Sequence, residues 1–333
     1  MARILTVLTG GTIGSISDGE IIDVNERASV ILIDKYYEKY GREDEFSLVQ
    51  PINIAGENLE TKHWEILINF ILEYNIDGYD GIIITHGSDT LSYSSAMLSM
   101  CLCHLPVPII LTASNYTVLD ERSNALNNFH SAVLMIKSFS RGVFTVFGDK
   151  IGKSRVFLPT RILEADGLND TFQSFGGKEL GFMNDGKFEF TDLLTNPDKA
   201  EIEQKREAIL SGRLTLNKKV IFIRQYPGLD FSNIIIDKDV GAVLLMTYHS
   251  QTARTIGKGS TLSLIERCHS LGIDVYCTPF KNLSEYYKSS AELIRLGCLP
   301  IYKTSPESSY AKLLLACNTD MNLIKRDIYF ETL

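Results

Sequence analysis

The segment LTVLTGGTIGS, residues 5–15, is a short apolar run that ends in two glycines and a threonine. The apolar residues predict a strand, and the glycines allow the backbone to turn sharply and to approach a ligand closely. In a parallel α/β sheet, ligands bind beyond the carboxyl ends of the strands. Gly10, Gly11 and Thr12 follow the predicted strand, so this turn is either part of a ligand site or a simple tight turn.

Two nucleotide-binding motifs share glycines with this loop, and neither fits it. The dinucleotide motif G-x-G-x-x-G requires a second glycine where Thr12 stands. The phosphate loop requires a lysine followed by Ser or Thr after its last glycine, and no lysine follows here. The sequence therefore disfavours a nucleotide-binding module.

Strand and helix patterns alternate along the rest of the chain. Strands are predicted at residues 5–8, 81–84, 107–111, 142–147, 220–224, 242–246 and 273–277, and helices at 58–74, 92–102, 122–137, 260–271 and 308–317. This βαβ rhythm predicts parallel sheets covered by helices. A polar stretch interrupts it, so we expect an N-terminal domain at 1–185, a connection at 186–217 and a C-terminal domain at 218–333.

A second polar cluster, THGSDT at residues 85–90, follows the strand predicted at 81–84. A structural turn needs only one or two such residues. Ser88 and Thr90 could cap the helix that follows. Alternatively, hydroxyls at two neighbouring strand ends, with the carboxylate of Asp89 beside one of them, could form one nucleophile site.

Composition excludes several classes of function. The 333 residues contain 33 basic and 41 acidic side chains, a net charge of -8 without a basic cluster, which disfavours nucleic-acid binding. No apolar stretch is long enough to cross a bilayer, and the first residues show no secretory pattern. The six cysteines are scattered without zinc spacing, which predicts reduced thiols and no metal site. We expect a cytoplasmic protein.

The motifs TGGTIGS (residues 9–15) and THGSDT (residues 85–90) together resemble TGGTI and THGTDT of the bacterial-type L-asparaginase/glutaminase family. Other similar segments are LDERSNALNN, DGLNDTFQS, GAVLLMTY and ESSYAKLLLA, at residues 119–128, 166–174, 241–248 and 307–316. The resemblance covers nearly the whole chain. It implies a larger N-terminal α/β domain with a flavodoxin-like parallel sheet and a smaller C-terminal α/β domain.

The resemblance also implies hydrolysis of a side-chain amide to a carboxylate and ammonia, without a cofactor. Thr12 is then the nucleophile, Ser88 replaces the family's second threonine, and Asp89 binds the substrate's ammonium group. The remaining implied residues bind substrate: Gly11, Gly56, Glu57, Gly87 and Ser114. Family sites lie between subunits, so a homodimer or homotetramer acting on a small-molecule amide is implied.

Departures from the family pattern cluster at the implied pocket. The loop at residues 15–28 lacks the family's tyrosine, and Ile21 or Ile22 stands there. Arg161 lies near the position of the family's lysine; arginine is a poor base but could still orient Asp89. Lys150 and Lys153 lie further upstream.

The positions implied to bind the substrate carboxylate have also changed. The family's serine is Gly56, and the negative charge of Glu57 should repel a free α-carboxylate by about 1 to 4 kcal/mol. His249 and Arg254 stand in a segment that is glycine-rich in the family. These two residues, or Tyr286 and Tyr287, could supply a missing acid–base group from a partner subunit.

We interpret this pattern as a changed substrate: an amide without a free α-carboxylate, hydrolysed through Thr12. One alternative is a catalytically inactive binding or scaffold protein. The other is ordinary asparaginase activity through compensating residues.

Overall fold

The structure is a computed structural model that describes residues 1–17, 22–24, 26–148 and 153–333. The chain forms two compact units, Met1–Leu214 and Thr215–Leu333. The division into domains at 1–185, 186–217 and 218–333 stays a prediction.

The first unit is built around one large sheet. Its elements are β1 (Arg3–Leu8), β2 (Ser15–Ser17), β3 (Ile22–Val24), α1 (Glu26–Tyr40), β4 (Glu45–Val49), α2 (Thr61–Glu73), β5 (Gly81–Thr85), α3 (Leu91–Leu102), β6 (Pro108–Thr112), α4 (Ala125–Ser138), β7 (Gly142–Gly148), β8 (Ser154–Phe157), β9 (Gly181–Asn184), β10 (Lys187–Phe190) and α5 (Lys199–Ile202). Eight strands pair in the order β10-β9-β8-β7-β6-β5-β1-β4. The strands β4, β1, β5, β6 and β7 run parallel, and β8, β9 and β10 extend the sheet in antiparallel fashion.

The parallel strands have the flavodoxin-like order. Numbered along the chain, β1, β4, β5, β6 and β7 lie side by side as 2-1-3-4-5. The order reverses between β1 and β5, and ligands in such folds bind beyond the carboxyl ends of the strands at this switch point. The two glycine motifs follow these two strands. The predicted α/β class with a parallel N-terminal sheet is confirmed.

Burial explains why the central elements could be predicted. All five residues of β5 are buried, as a continuous apolar run with helices on both faces requires. On α2 the buried apolar residues share one face: Trp64, Leu67, Ile68 and Ile71. Trp64 also donates from Nε1 to the Ser94 hydroxyl at 2.7 Å, which joins α2 to α3.

The second unit is a smaller parallel α/β unit. Its elements are β11 (Lys219–Arg224), β12 (Val240–Met246), α6 (Thr261–Ser270), β13 (Asp274–Phe280), α7 (Lys288–Arg295), β14 (Leu299–Tyr302) and α8 (Pro306–Asn318). The strands pair in chain order, all parallel. The six cysteines of the chain are free thiols, five of them buried. Among the described residues, no helix combines the length and the apolar character that crossing a membrane requires.

A buried ion pair holds the end of the second unit. Lys312 on α8 lies 2.7 Å from Glu331, and both side chains are almost fully buried. Glu331 also accepts backbone N–H groups from Ile328 and Tyr329 at 2.8 to 3.1 Å. The Lys312 ammonium donates in addition to the Arg326 carbonyl. Lys312 is therefore a structural residue.

Candidate active site

Three turns, which contain Gly11, Gly56 and Gly87, touch at the carboxyl-end edge of the large sheet. A β-carbon on Gly11 would lie 2.4 Å from the Cα and N atoms of Gly87, and one on Gly87 would lie 2.8 Å from the Cα of Gly56. Such distances exclude any side chain, so these positions require glycine for backbone contact. The residues that follow these three glycines in the chain are Thr12, Glu57 and Ser88.

Hydrogen bonds fix these turns relative to one another. The Gly11 N–H donates to the Ile54 carbonyl at 3.0 Å, and the Ile54 N–H donates to the Thr9 carbonyl at 2.9 Å. The Thr9 hydroxyl donates to the Thr85 carbonyl at 2.8 Å, which ties the end of β1 to the end of β5. Thr12, partly buried, begins a 3₁₀ turn beyond this network.

A cavity of about 330 Å³ lies beside the β5 turn. The described residues that line it all belong to the first unit: Ser88, Asp89, Asn115, Phe147, Glu164, Ala165, Asp166, Gly167 and Asp170. Thr12 is not among the described lining residues. It follows Gly11, and the backbone of Gly11 contacts Gly87, the residue before Ser88. The volume falls within the range of small-molecule sites.

The cavity is acidic. The pKa of Asp89 is raised above its ordinary value. The largest cause is partial burial of the Asp89 carboxyl group, followed by the negative charges of Glu57 and Asp170. No ion pair between described residues includes Asp89, Asp166 or Asp170. The Glu164 carboxylate accepts the Tyr93 hydroxyl at 2.7 Å. The carboxylates of Asp89, Asp166 and Asp170 therefore give this side of the site negative charge that no described cation pairs with.

The histidine of the THGSDT motif is structural. His86 is fully buried, and its Nδ1 lies 2.9 Å from the Gly87 carbonyl oxygen. Its backbone N–H donates to the Thr112 carbonyl at 2.8 Å, which joins the β5 turn to β6. Burial lowers the pKa of His86, so the ring is neutral at physiological pH.

The structure places five of the predicted site residues at the glycine contact or in the cavity wall, whereas Ser114 is not in the described wall. Gly11, Gly56 and Gly87 form the backbone contact, and Ser88 and Asp89 line the cavity. Ser114 is fully buried and donates its hydroxyl to the Tyr116 carbonyl at 2.8 Å, whereas its neighbour Asn115 lines the cavity.

Sequence reasoning missed most of the cavity wall. The missed polar residues are Asn115, Glu164, Asp166 and Asp170. The signal available was the density of acids in residues 164–170, which overlaps the segment DGLNDTFQS. The sequence of this loop does not indicate that it lies opposite the β5 turn, so its acidic residues could not be assigned to the site from the sequence.

The basic residues considered as replacements for the family's lysine have other neighbours. Arg161 is buried and donates from its guanidinium to the Thr195 carbonyl at 2.7 Å. Lys153 places its ammonium 4.0 Å from the centre of a phenylalanine ring. Lys150 and Ile21 lie outside the described residues.

Three of the second-unit residues considered as sources of the missing acid–base group, Arg254, His249 and Tyr286, form hydrogen bonds within the second unit. Arg254 donates to three nearby carbonyls, those of Leu229, Ile256 and Lys258. The Nε2 atom of His249 lies 3.0 Å from the Ser250 hydroxyl, and Tyr286 donates weakly to a carbonyl at 3.5 Å. A contribution of these residues from a partner subunit stays a prediction.

Known proteins share both sequence and fold with this chain. One glutamyl-tRNA(Gln) amidotransferase subunit, from Methanobrevibacter smithii, is 26% identical over 322 residues, which cover 93% of this chain and 71% of that protein. The L-asparaginase of Thermococcus kodakarensis is 27% identical over 185 residues, 54% of this chain and 53% of that protein.

Solved structures match almost the full length. The thermostable L-asparaginase from Thermococcus kodakarensis has a TM-score of 0.79 at 21% identity and covers 99% of both chains. The L-asparaginase I of Vibrio cholerae has a TM-score of 0.77 at 20% identity and covers 100% of this chain and 99% of that one. At these identities the matches establish the fold.

The family model described as "Asparaginase, N-terminal" matches residues 3–194, a segment that contains all three glycine turns and every described residue of the cavity lining. Because this match covers more than half of the chain, and the predicted resemblance rested on the same motifs, the chain belongs to the asparaginase family.

Proposed function

We propose that the chain is an amidohydrolase that uses Thr12 as its nucleophile and acts on an amide other than the family's usual amino-acid amide. The observation that carries the proposal is the backbone contact between Gly11 and Gly87, because these glycines immediately precede Thr12 and Ser88 in the chain. Family membership supports amide chemistry in general. The departures at Gly56 and Glu57 support the change of substrate.

The proposed reaction has two stages. The Thr12 hydroxyl attacks the amide carbon, its proton passes to a base, and the C–N bond breaks as the nitrogen takes up a proton and leaves as ammonia. Water then hydrolyses the threonine ester, which releases the carboxylate and restores the hydroxyl. Ser88 and Asp89 are the proposed relay for the proton, since a raised pKa makes Asp89 a better base than an ordinary aspartate.

Backbone N–H groups near the nucleophile are the proposed oxyanion donors. The Gly11 N–H is already bonded to the Ile54 carbonyl. The N–H groups of Gly87 and Ser88 form no hydrogen bond with other described residues. The Gly87–Ser88 turn is therefore the better candidate, and a donor of this kind contributes about 3 kcal/mol to transition-state stabilisation.

A catalytically inactive binding protein is the second candidate. It is favoured by Arg161, which stands near the position of the family's lysine and donates to the Thr195 carbonyl. Relatives of the chain are described as L-asparaginase and as part of an amidotransferase. Both chemistries involve an amide nitrogen, so a catalytic role remains the first proposal.

The deciding measurement is ammonia release from a panel of amides. We expect turnover with at least one amide, and a loss of about 1,000-fold or more in kcat/KM for Thr12→Ala, because the nucleophile is removed. Thr319→Ala is the matched control, since that hydroxyl bonds only within its own helix end, to Leu315. Ligand binding without any ammonia release would favour the binding protein.

The remaining expectations are also proposals. We propose a small-molecule partner rather than nucleic acid, a homodimer or homotetramer, and a cytoplasmic location. The last is supported by a Campylobacter jejuni protein of the same fold, described as a probable cytoplasmic L-asparaginase, with a TM-score of 0.75 at 19% identity over 100% of both chains. Light scattering on the purified chain tests the number of subunits.

A further inference from the structure

We propose that the cavity beside Ser88 selects substrates whose non-reacting end carries a protonated amine and no carboxylate. This inference rests on the proposed function, because it assigns the substrate class of the same site. It is carried by the charge, the hydrogen-bonding character and the shape of the cavity wall.

The described part of the wall carries charge of one sign. Among the nine described lining residues are four carboxylates, those of Asp89, Glu164, Asp166 and Asp170, and none of the nine is Lys, Arg or His. Glu57 acts on Asp89 from the neighbouring turn and adds a fifth negative charge. A carboxylate on the ligand is repelled by this surface, and an ammonium group is attracted to it.

Most of the polar side-chain atoms of the described wall are acceptors, although the Ser88 hydroxyl and the Asn115 amide group can also donate. Ionised carboxylates accept hydrogen bonds and donate none. The Oδ1 atom of Asn115, which lines the same cavity, is buried and has no hydrogen-bond partner among the described residues. An ammonium group supplies three donors and no acceptor, so it complements this set, whereas a carboxylate supplies acceptors only.

The Gly56 turn leaves the Asp89 carboxylate accessible. A β-carbon at position 56 would lie 3.1 Å from Oδ2 of Asp89, so a longer side chain there would press on the carboxylate. The next residue, Glu57, contributes a charge that repels a ligand carboxylate at the same place. The departures at Gly56 and Glu57 therefore both favour a ligand ammonium group over a ligand carboxylate at this place.

L-asparaginamide and L-asparagine form a matched pair for the test. They share the side-chain amide and the ammonium group, and differ only in a neutral amide against an α-carboxylate. Binding is measured by calorimetry to the full chain carrying Thr12→Ala, so that turnover does not interfere. We expect L-asparaginamide to bind about tenfold tighter or more, and the preference to shrink between about 20 mM and about 500 mM NaCl.

Charge-removing variants identify the source of the preference. Asp170→Asn should reduce it severalfold. Asn tolerates the positive φ of 54° at this position as well as Asp does, so the change adds no backbone strain. Glu57→Gln should act in the same direction. Glu43→Gln is the control, because it removes one exposed charge before β4, at the opposite end of the strand from the Gly56 turn.

The outcomes separate this inference from the proposed function. If L-asparagine binds as tightly as L-asparaginamide, or if neither binds, the inference is overturned. Ammonia release that is fastest from L-asparagine in the unmodified chain also overturns it, while amidohydrolase activity stands. A clear preference for L-asparaginamide, lost in Asp170→Asn, supports it even if no amide is hydrolysed, and in that case only the proposed function fails.

Discussion

Two regions of the molecule contain carboxylates whose pKa values are displaced in opposite directions. Burial tends to raise the pKa of Glu331, but the Lys312 ammonium and two backbone N–H groups outweigh it and hold that pKa below its usual range. Partial burial and the charges of Glu57 and Asp170 raise the pKa of Asp89. The C-terminal segment is held by a compensated charge, whereas Asp89, Asp166 and Asp170 in the cavity wall form no ion pair with another described residue.

The difference shows how each region uses its acids. A buried carboxylate contributes to a stable fold only when a cation and donors satisfy it. Carboxylates without such partners beside a cavity are candidates for function, because a ligand can supply the missing charge. Backbone contact between glycines and hydrogen bonds between the turns hold the cavity's turns in place.

The largest expected effect comes from breaking the compensated pair. Lys312→Met leaves Glu331 buried without its cation, and should lower the free energy of unfolding of the second unit by about 3 to 5 kcal/mol. Urea unfolding measures it. Lys325→Met, at an exposed lysine, is the control. A loss below about 1 kcal/mol would mean that the pair does not hold the C-terminal segment.

The next effect tests the glycine contact. Gly11→Ala places a β-carbon 2.4 Å from the Gly87 backbone and also strains a φ of 69°, so stability should fall by about 2 to 4 kcal/mol and activity should be lost. Gly41→Ala separates the two causes, because Gly41 has a φ of 86° but open space around it. Equal losses in both variants would show that strain alone explains the result.

The pH dependence of stability should differ between the two acids. Because the folded pKa of Glu331 is lowered, its contribution is present above the ordinary glutamate pKa of about 4.3 and is lost as the pH falls through the folded value. Because the pKa of Asp89 is raised, its ionised form disfavours folding at neutral pH. Asp89→Asn should therefore raise the melting temperature slightly at neutral pH, and a lowered one would contradict this interpretation.

The smallest effect is a shift in a pH profile. Binding of a cationic amide requires ionised Asp89, so affinity should rise as the pH rises through its raised pKa. Glu57→Gln removes one of the charges that raise this pKa, and the profile should move to lower pH. Calorimetry over a pH series measures the midpoint. An unchanged midpoint, as expected of Glu43→Gln, would show that Glu57 does not act on Asp89.

Elements with strong local signals were predictable. The strands β5, β6 and β7 are short apolar runs buried on both faces, and their predicted bounds differ from the observed ones by one residue at most. The edge elements α1 and β4 were missed. The strand β4 lies at the border of the sheet and is only partly buried, so its residues lack a continuous apolar run.

Local chemistry in the sequence by itself determined the α/β class, the two glycine turns and the hydroxyls and acid that follow them. Glycine freedom, apolar runs and polar strand ends all act between near neighbours in the chain, so they are visible there. Only the tertiary structure decided that Glu331 is paired while Asp89 faces Glu57 and Asp170. The energy of a charge depends on what surrounds it in space, and these surroundings come from segments far apart in the chain.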